Sequence, residues 1–222
     1  RRVHNFRYQV EVGGLHWLYT QRVLAQPEKA ITIWRQVLSL DEEDHPALGA
    51  LERLYNTRGA WRDLAWVYSR QIELADTDLE RRPLWSSLAE TQEKAGEVRE
   101  SIAAWKGALD ENPGDPDALA ALLRLYKQES MWPELLETLD LAALVSSEDE
   151  ERQSFQFRAA KVLAEKQGEA IGAIDRYRQI LDDNASHSGA RDALEALLRD
   201  EDTREAAAAV LEPLYQRTGE WK

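Results

Sequence analysis

The sequence predicts an all-α fold, a solenoid of about six αα-hairpins, and three observations predict it. Apolar residues recur at helical spacing in short segments, as in Leu84, Leu88 and Thr91 or Ile102, Trp105 and Leu109, and these segments are punctuated by glycine, proline and acidic clusters. The same residue types return at a fixed interval: Trp34, Trp105 and Tyr177 lie 71 and 72 residues apart, as do Leu54, Leu125 and Leu197. Trp61 and Trp132 are 71 apart, and so are Glu80-Arg81 and Glu151-Arg152. The repeating unit is therefore a pair of hairpins, and one extra residue before Gly168 accounts for the step from 71 to 72. Small residues stand where two helices must approach, so each hairpin buries its apolar face against its neighbours.

The stretch from Arg82 to Pro113 carries the pattern most completely. Trp85, Leu88, Ala89, Gly96, Ser101, Trp105, Ala108 and Pro113 occupy relative positions 4, 7, 8, 15, 20, 24, 27 and 32. Two short helices meet there. Ala89, Ser101 and Ala108 let the backbones come close, Gly96 opens the turn, Trp105 fills the space, and Pro113 cannot continue the second helix. This spacing resembles the tetratricopeptide repeat (TPR), and the resemblance implies a right-handed αα-hairpin solenoid, a TPR-like superhelix. The stretch departs from the usual pattern at Gln92, where tyrosine is common, and has Ala89 for glycine, Ser101 for alanine and Trp105 for phenylalanine. The paired units look like those of long tandem TPR proteins of myxobacterial type, and the resemblance implies protein–protein interaction or assembly scaffolding, with partners held on a concave face.

Taken in order, Phe6, Tyr8, Val10 and Val12 alternate like a strand, whereas Leu15, Leu18 and Val23 read helical, and the segment is predicted as a helix with a frayed start. The hairpins then span approximately 8–40, 46–74, 82–112, 116–145, 151–183 and 188–217, one TPR-like solenoid over 1–222. At the end, Leu211 to Tyr215 followed by Gly219 and Trp221 repeats Leu51 to Tyr55 followed by Gly59 and Trp61, but too early for the period. That phase shift predicts a further hairpin beginning there, in a fragment of a longer array.

Composition narrows the function classes. Cysteine is absent, so no disulfide, thiolate nucleophile or cysteine zinc site can form, which fits a reducing compartment and favours the cytoplasm. No apolar run approaches membrane-span length, so no membrane insertion is expected. The chain opens on Arg1-Arg2-Val3-His4 and not on methionine with an apolar signal, so any targeting segment would precede it. A formal charge of -13 argues against nucleic acid as a partner, because phosphate binding needs clustered cations.

Candidate chemistry is thin. His4, His16, His45 and His187 fall in different repeats and read as surface residues, not a metal cluster. The acidic runs 41–44, 148–151 and 200–202 sit where helices start, so capping and the helix dipole explain them better than calcium does. Asp110 to Asp115 places its glycine one position early for a calcium loop and interrupts it with proline, and Gly13-Gly14 lacks the rest of a phosphate loop. No catalytic, metal or cofactor residues are assigned, and no enzymatic activity is expected. Trp34, Trp61, Trp105 and Trp132 are repeat-equivalent and read as core, leaving Trp17 and Trp66 as candidate exposed anchors.

The concave positions of a TPR helix, 2, 5, 9, 12 and 13, are more informative. Their basic members are Arg22, Arg53, Lys94, Arg124, Lys127, Lys161 and Arg199, against Glu90, Glu93, Asp117, Glu165, Asp192 and Asp200. Seven cations against six anions leave the chain's acidic excess on the other surfaces. The expected partner is thus a protein, with an acidic peptide segment held in the groove by Arg22, Arg53, Arg124, Lys127, Lys161 and Arg199. Position 9 carries no asparagine, so the carboxylate clamp of chaperone-binding TPR domains is not carried over. Two alternatives are an RNA-processing repeat of the half-a-TPR kind, prompted by Trp105 and Tyr177, and a non-catalytic subunit of an enzyme complex.

Overall fold

A computed structural model describes residues 27–219, and the secondary structure among them consists of helices. The helix predicted near the start, with His4, His16, Trp17 and Arg22, lies outside the described residues, as does Trp221. Two compact units divide at Glu111 and Asn112.

In the first unit, α1 (Pro27–Leu40) precedes the hairpin of α2 (His45–Arg58) and α3 (Trp61–Leu74), and then that of α4 (Asp78–Ala95) and α5 (Val98–Glu111). Capping sets these boundaries. The Asp44 carboxylate accepts from the Ala47 amide at 2.8 Å and opens α2, and Gly59, at φ +64°, closes it in the left-handed conformation that a side chain would resist. Thr77 opens α4 by accepting from the Glu80 amide. That cap starts the helix four residues before the predicted Arg82 and leaves Pro83 inside it. Pro83 is tolerated because the amide it lacks would have served the carbonyl of Leu79, a residue that faces solvent.

The hairpin of α4 and α5 packs as its small residues require. Ala89, Ser101 and Ala108 are buried, and Trp105 between them is 3% exposed and donates its indole N–H to Glu93 at 3.2 Å. Gly107 is demanded by the opposite ring. A Cβ there would come within 2.9 Å of Trp85.

In the second unit, α6 (Pro116–Gln128) pairs with α7 (Trp132–Val145), α8 (Asp149–Val162) with α9 (Ala170–Asp183), and α10 (Ser188–Leu197) with α11 (Glu201–Thr218). Asp115 and Asp200 cap α6 and α11, and three acidic residues fill the first turn of α8, so these acidic runs serve helix starts as expected. Between α8 and Gly168 the chain makes a π-helical turn, Leu163–Gln167. This turn absorbs the one residue by which the period lengthens from 71 to 72, since an insertion can be held inside a helix as an i→i+5 bulge. Tyr177 then takes the buried place that Trp105 has in the first unit. Burial, with a smaller push from Glu165, raises its hydroxyl to about 12.

Two expectations are corrected, and a third meets the edge of the described residues. Leu211 to Tyr215 lie in the second half of α11, where Leu211 and Leu214 are buried in a cluster with Ile174, Tyr177 and Leu194, and Gly219, at φ +72°, closes α11 as Gly59 closes α2; the rest of the predicted further hairpin lies outside the described residues. Trp34, Trp61 and Trp132 are only half-buried, because the latter two stand at the first position of their helices and lie under lysines. Lys94 sits 5.4 Å from the Trp61 ring and Lys166 5.3 Å from the Trp132 ring, one contact made twice, 71 to 72 residues apart. His187 is not a free surface residue. Its Nδ1 accepts from the Ala190 amide at 3.0 Å, capping α10, and its ring lies 5.2 Å from Phe157.

Candidate functional site

Within the second unit, a groove of about 880 Å³ is lined by one face of α6, one face of α8, and the turn that follows α7. Helical spacing builds it. Leu119, Ala120, Leu123, Arg124, Lys127 and Gln128 share a stripe along α6, and Glu151, Phe155 and Arg158 share one along α8. Val145, Ser146 and Ser147 close one end, beside Leu144, which is 82% exposed. Leu119 and Leu123 are buried and form an apolar floor.

Charge on the groove is asymmetric. Arg124, Lys127 and Arg158 oppose the single carboxylate of Glu151. Arg124 donates to Gln128 at 3.5 Å, one turn along its own helix. Arg158 lies 5.4 Å from the Phe155 ring, and partial desolvation lowers its pKa from the ordinary guanidinium value, leaving it charged at neutral pH. Neither Lys127 nor Arg158 forms an ion pair with any described residue. The arrangement can hold an anionic group beside an apolar one.

Of the residues the sequence pointed to, the structure brings Arg124 and Lys127 together here. Lys161 is exposed one turn beyond Arg158 on α8, where its amine reaches Glu165 at 3.5 Å, and it does not line the groove. Arg199 is exposed after the end of α10. Arg53 belongs to the first unit, exposed on α2 with its Nε donating to the Gly49 carbonyl at 3.1 Å. Arg22 lies outside the described residues. Trp66 is 47% exposed on α3, in keeping with its place outside the tryptophan pairing.

Arg158 was missed by the sequence reading, since it falls at position 6 of its repeat and not in the concave set. The signal was present in the chain: Phe155 and Arg158 are three residues apart, and neither is matched in kind one double unit earlier, at Leu84 and Ser87. Among the described residues no group of His, Asp and Glu side chains is placed to hold a metal ion, and no helix is long and apolar enough to cross a membrane.

No protein-family model matches the chain. Among curated proteins it is similar to cellulose synthase operon protein C of Pseudomonas fluorescens (strain SBW25), at 31% identity over 134 residues, 56% of this chain and 10% of that protein. The chain therefore spans about a tenth of that relative. Among solved structures it is similar to the C-terminal part of a TPR repeat-containing protein from Cytophaga hutchinsonii, with a TM-score of 0.46 and 11% identity over 89% of this chain and 77% of that one. A tetratricopeptide repeat protein from Parabacteroides merdae overlaps with a TM-score of 0.45 and 14% identity, over 78% of this chain and 66% of that one. YrrB, described as a TPR protein with an unusual peptide-binding site, gives 0.43 and 15%, over 80% and 88%. Overlaps this loose leave the fold resting on the chain's own hairpins and their spacing. They lend no support to the myxobacterial likeness.

Proposed function

Because the chain is a tetratricopeptide-type array of αα-hairpins, a fold that serves protein–protein interaction in general, we propose that it is a non-catalytic scaffold holding an acidic segment of a partner protein on the first helices of its hairpins. The observation that carries this reading is the groove between α6 and α8, apolar at its floor and basic at its walls, in a chain whose formal charge is -13. A cationic patch on an acidic protein steers an acidic partner and repels the wrong one. Arg53, Arg124, Lys127, Lys161 and Arg199 are all exposed, so they are available without unfolding anything. The same acidic surface speaks against nucleic acid, which would be repelled from most approaches.

The test is binding of captured protein partners by wild type and by a variant carrying Arg53→Glu and Arg124→Glu, compared at low and high salt. Affinity should fall several-fold in the variant, and wild-type binding should weaken with salt. Charge reversal at Lys106, exposed on the second helix of its hairpin, should change little. Equal binding by the double variant and wild type would sink the reading.

A further inference from the structure

Three helices of each unit correspond at an offset of 71 residues, α2, α3 and α4 of the first matching α6, α7 and α8 of the second. Each groove residue on α6 and α8 therefore has a counterpart in the first unit. The helices match, but the chemistry along them does not. Lys127 stands where the first unit has Asn56, and Arg158 where it has Ser87. The buried Leu123 replaces Glu52, and Ser147 replaces Asp76. All four differences run in one direction, toward a cationic and apolar surface in the second unit.

The first unit's counterparts are also engaged within their own unit. Glu52 accepts from the Gln71 side-chain amide at 3.0 Å and from the Tyr68 hydroxyl at 3.4 Å. Ser87 donates to the Pro83 carbonyl at 2.9 Å. By contrast Lys127 and Arg158 have no carboxylate partner among the described residues, and the Phe155 ring supports the Arg158 guanidinium at the groove wall.

Building on the interaction reading above, we propose that docking is confined to the second double unit, whose groove takes a peptide segment with an acidic side chain beside an aliphatic or aromatic anchor, while the matching face of the first unit is a non-binding copy. The carboxylate meets Arg158 and Lys127, where the guanidinium fork suits bidentate contact. The anchor covers Leu119 and Leu123, and desolvating that floor strengthens the ionic contacts beside it.

Random linear peptides displayed on phage and selected against the whole chain supply the probe. Enriched sequences are then synthesised with both ends capped and titrated by fluorescence anisotropy. The decisive variant is Lys127→Asn with Arg158→Ser, which gives the second unit the first unit's residues at exposed positions; its circular dichroism melt should match wild type. Enriched peptides should pair acidic residues with an apolar one. The swap should weaken their binding by about tenfold or more, whereas Asn56→Glu, at the exposed first-unit counterpart of Lys127, should change it less than about twofold. Arg158→Lys, which keeps the charge and loses the fork, should fall between. Undiminished binding by the swap, or a loss from Asn56→Glu as large as the swap's, would overturn the confinement and leave the interaction reading standing, whereas peptides enriched without acidic residues would overturn the acidic-segment reading as well. No enrichment at all would overturn the proposal, and a single-stranded RNA oligonucleotide bound in the same groove would overturn both.

Discussion

Trp105→Ala tests the packing on which the whole repeat assignment depends. The indole is 3% exposed, in the hairpin of α4 and α5 where the small residues Ala89, Ser101 and Ala108 are buried as well. Those helices cannot easily collapse into the space. Truncation should therefore leave a cavity and cost about 3 to 5 kcal/mol, in the range for large aromatics removed from cores. Trp105→Phe separates the contributions: it keeps a ring and loses the bond to the half-exposed Glu93 carboxylate, so its cost should be about 1 to 2 kcal/mol. Urea denaturation followed by circular dichroism gives both numbers, and hydrogen exchange gives their location. Because repeat arrays are stabilised by nearest neighbours, lost protection should concentrate in α4 and α5 and their immediate partners. A cost for Trp105→Ala below about 1 kcal/mol would place the indole outside any core and undo the repeat register.

Two further substitutions should stabilise the protein. Ser101 is fully buried with its hydroxyl unpartnered, while Ala30 and Ala173 stand at the equivalent places, so Ser101→Ala should raise stability by about 1 kcal/mol, and a loss on urea denaturation would mean that the hydroxyl has a partner. Ser130 holds φ at 58° where its counterpart Gly59 sits at 64°, so Ser130→Gly should shift the denaturation midpoint upward by about 0.5 to 1 kcal/mol, the left-handed strain relieved exceeding the added entropy of the unfolded chain. An unchanged or lower midpoint would refute that balance.

The hairpin ladder was legible in the chain because helical periodicity and capping are local. Asp44, Asp115 and Asp200 open helices through bonds to amides two or three residues away, and no distant part of the chain takes part in that choice. The 71- to 72-residue interval likewise named Trp105 and Tyr177 as equivalent residues, and both are buried. Even the single inserted residue could be located to the segment before Gly168, although the π-helical form it takes could not.

Where a side chain faces two other helices, sequence spacing was not enough. A repeat register assigns a face to each position, but the angles at which α6, α7 and α8 meet decide how wide that face is, and Arg158 falls inside the groove while Lys161, one turn away, does not. The half-burial of Trp61 and Trp132 follows from their standing at helix starts, where no preceding turn covers them. Leu211 to Tyr215 copy Leu51 to Tyr55 in residue type and in place, each in the second half of a helix closed by a left-handed glycine, but the partners of Leu211 and Leu214 in the cluster with Ile174 and Leu194 were not legible in the chain. Local bonding wrote the helices into the sequence; the groove exists only because three consecutive ones pack at angles that leave the Leu119 and Leu123 floor of α6 open between them.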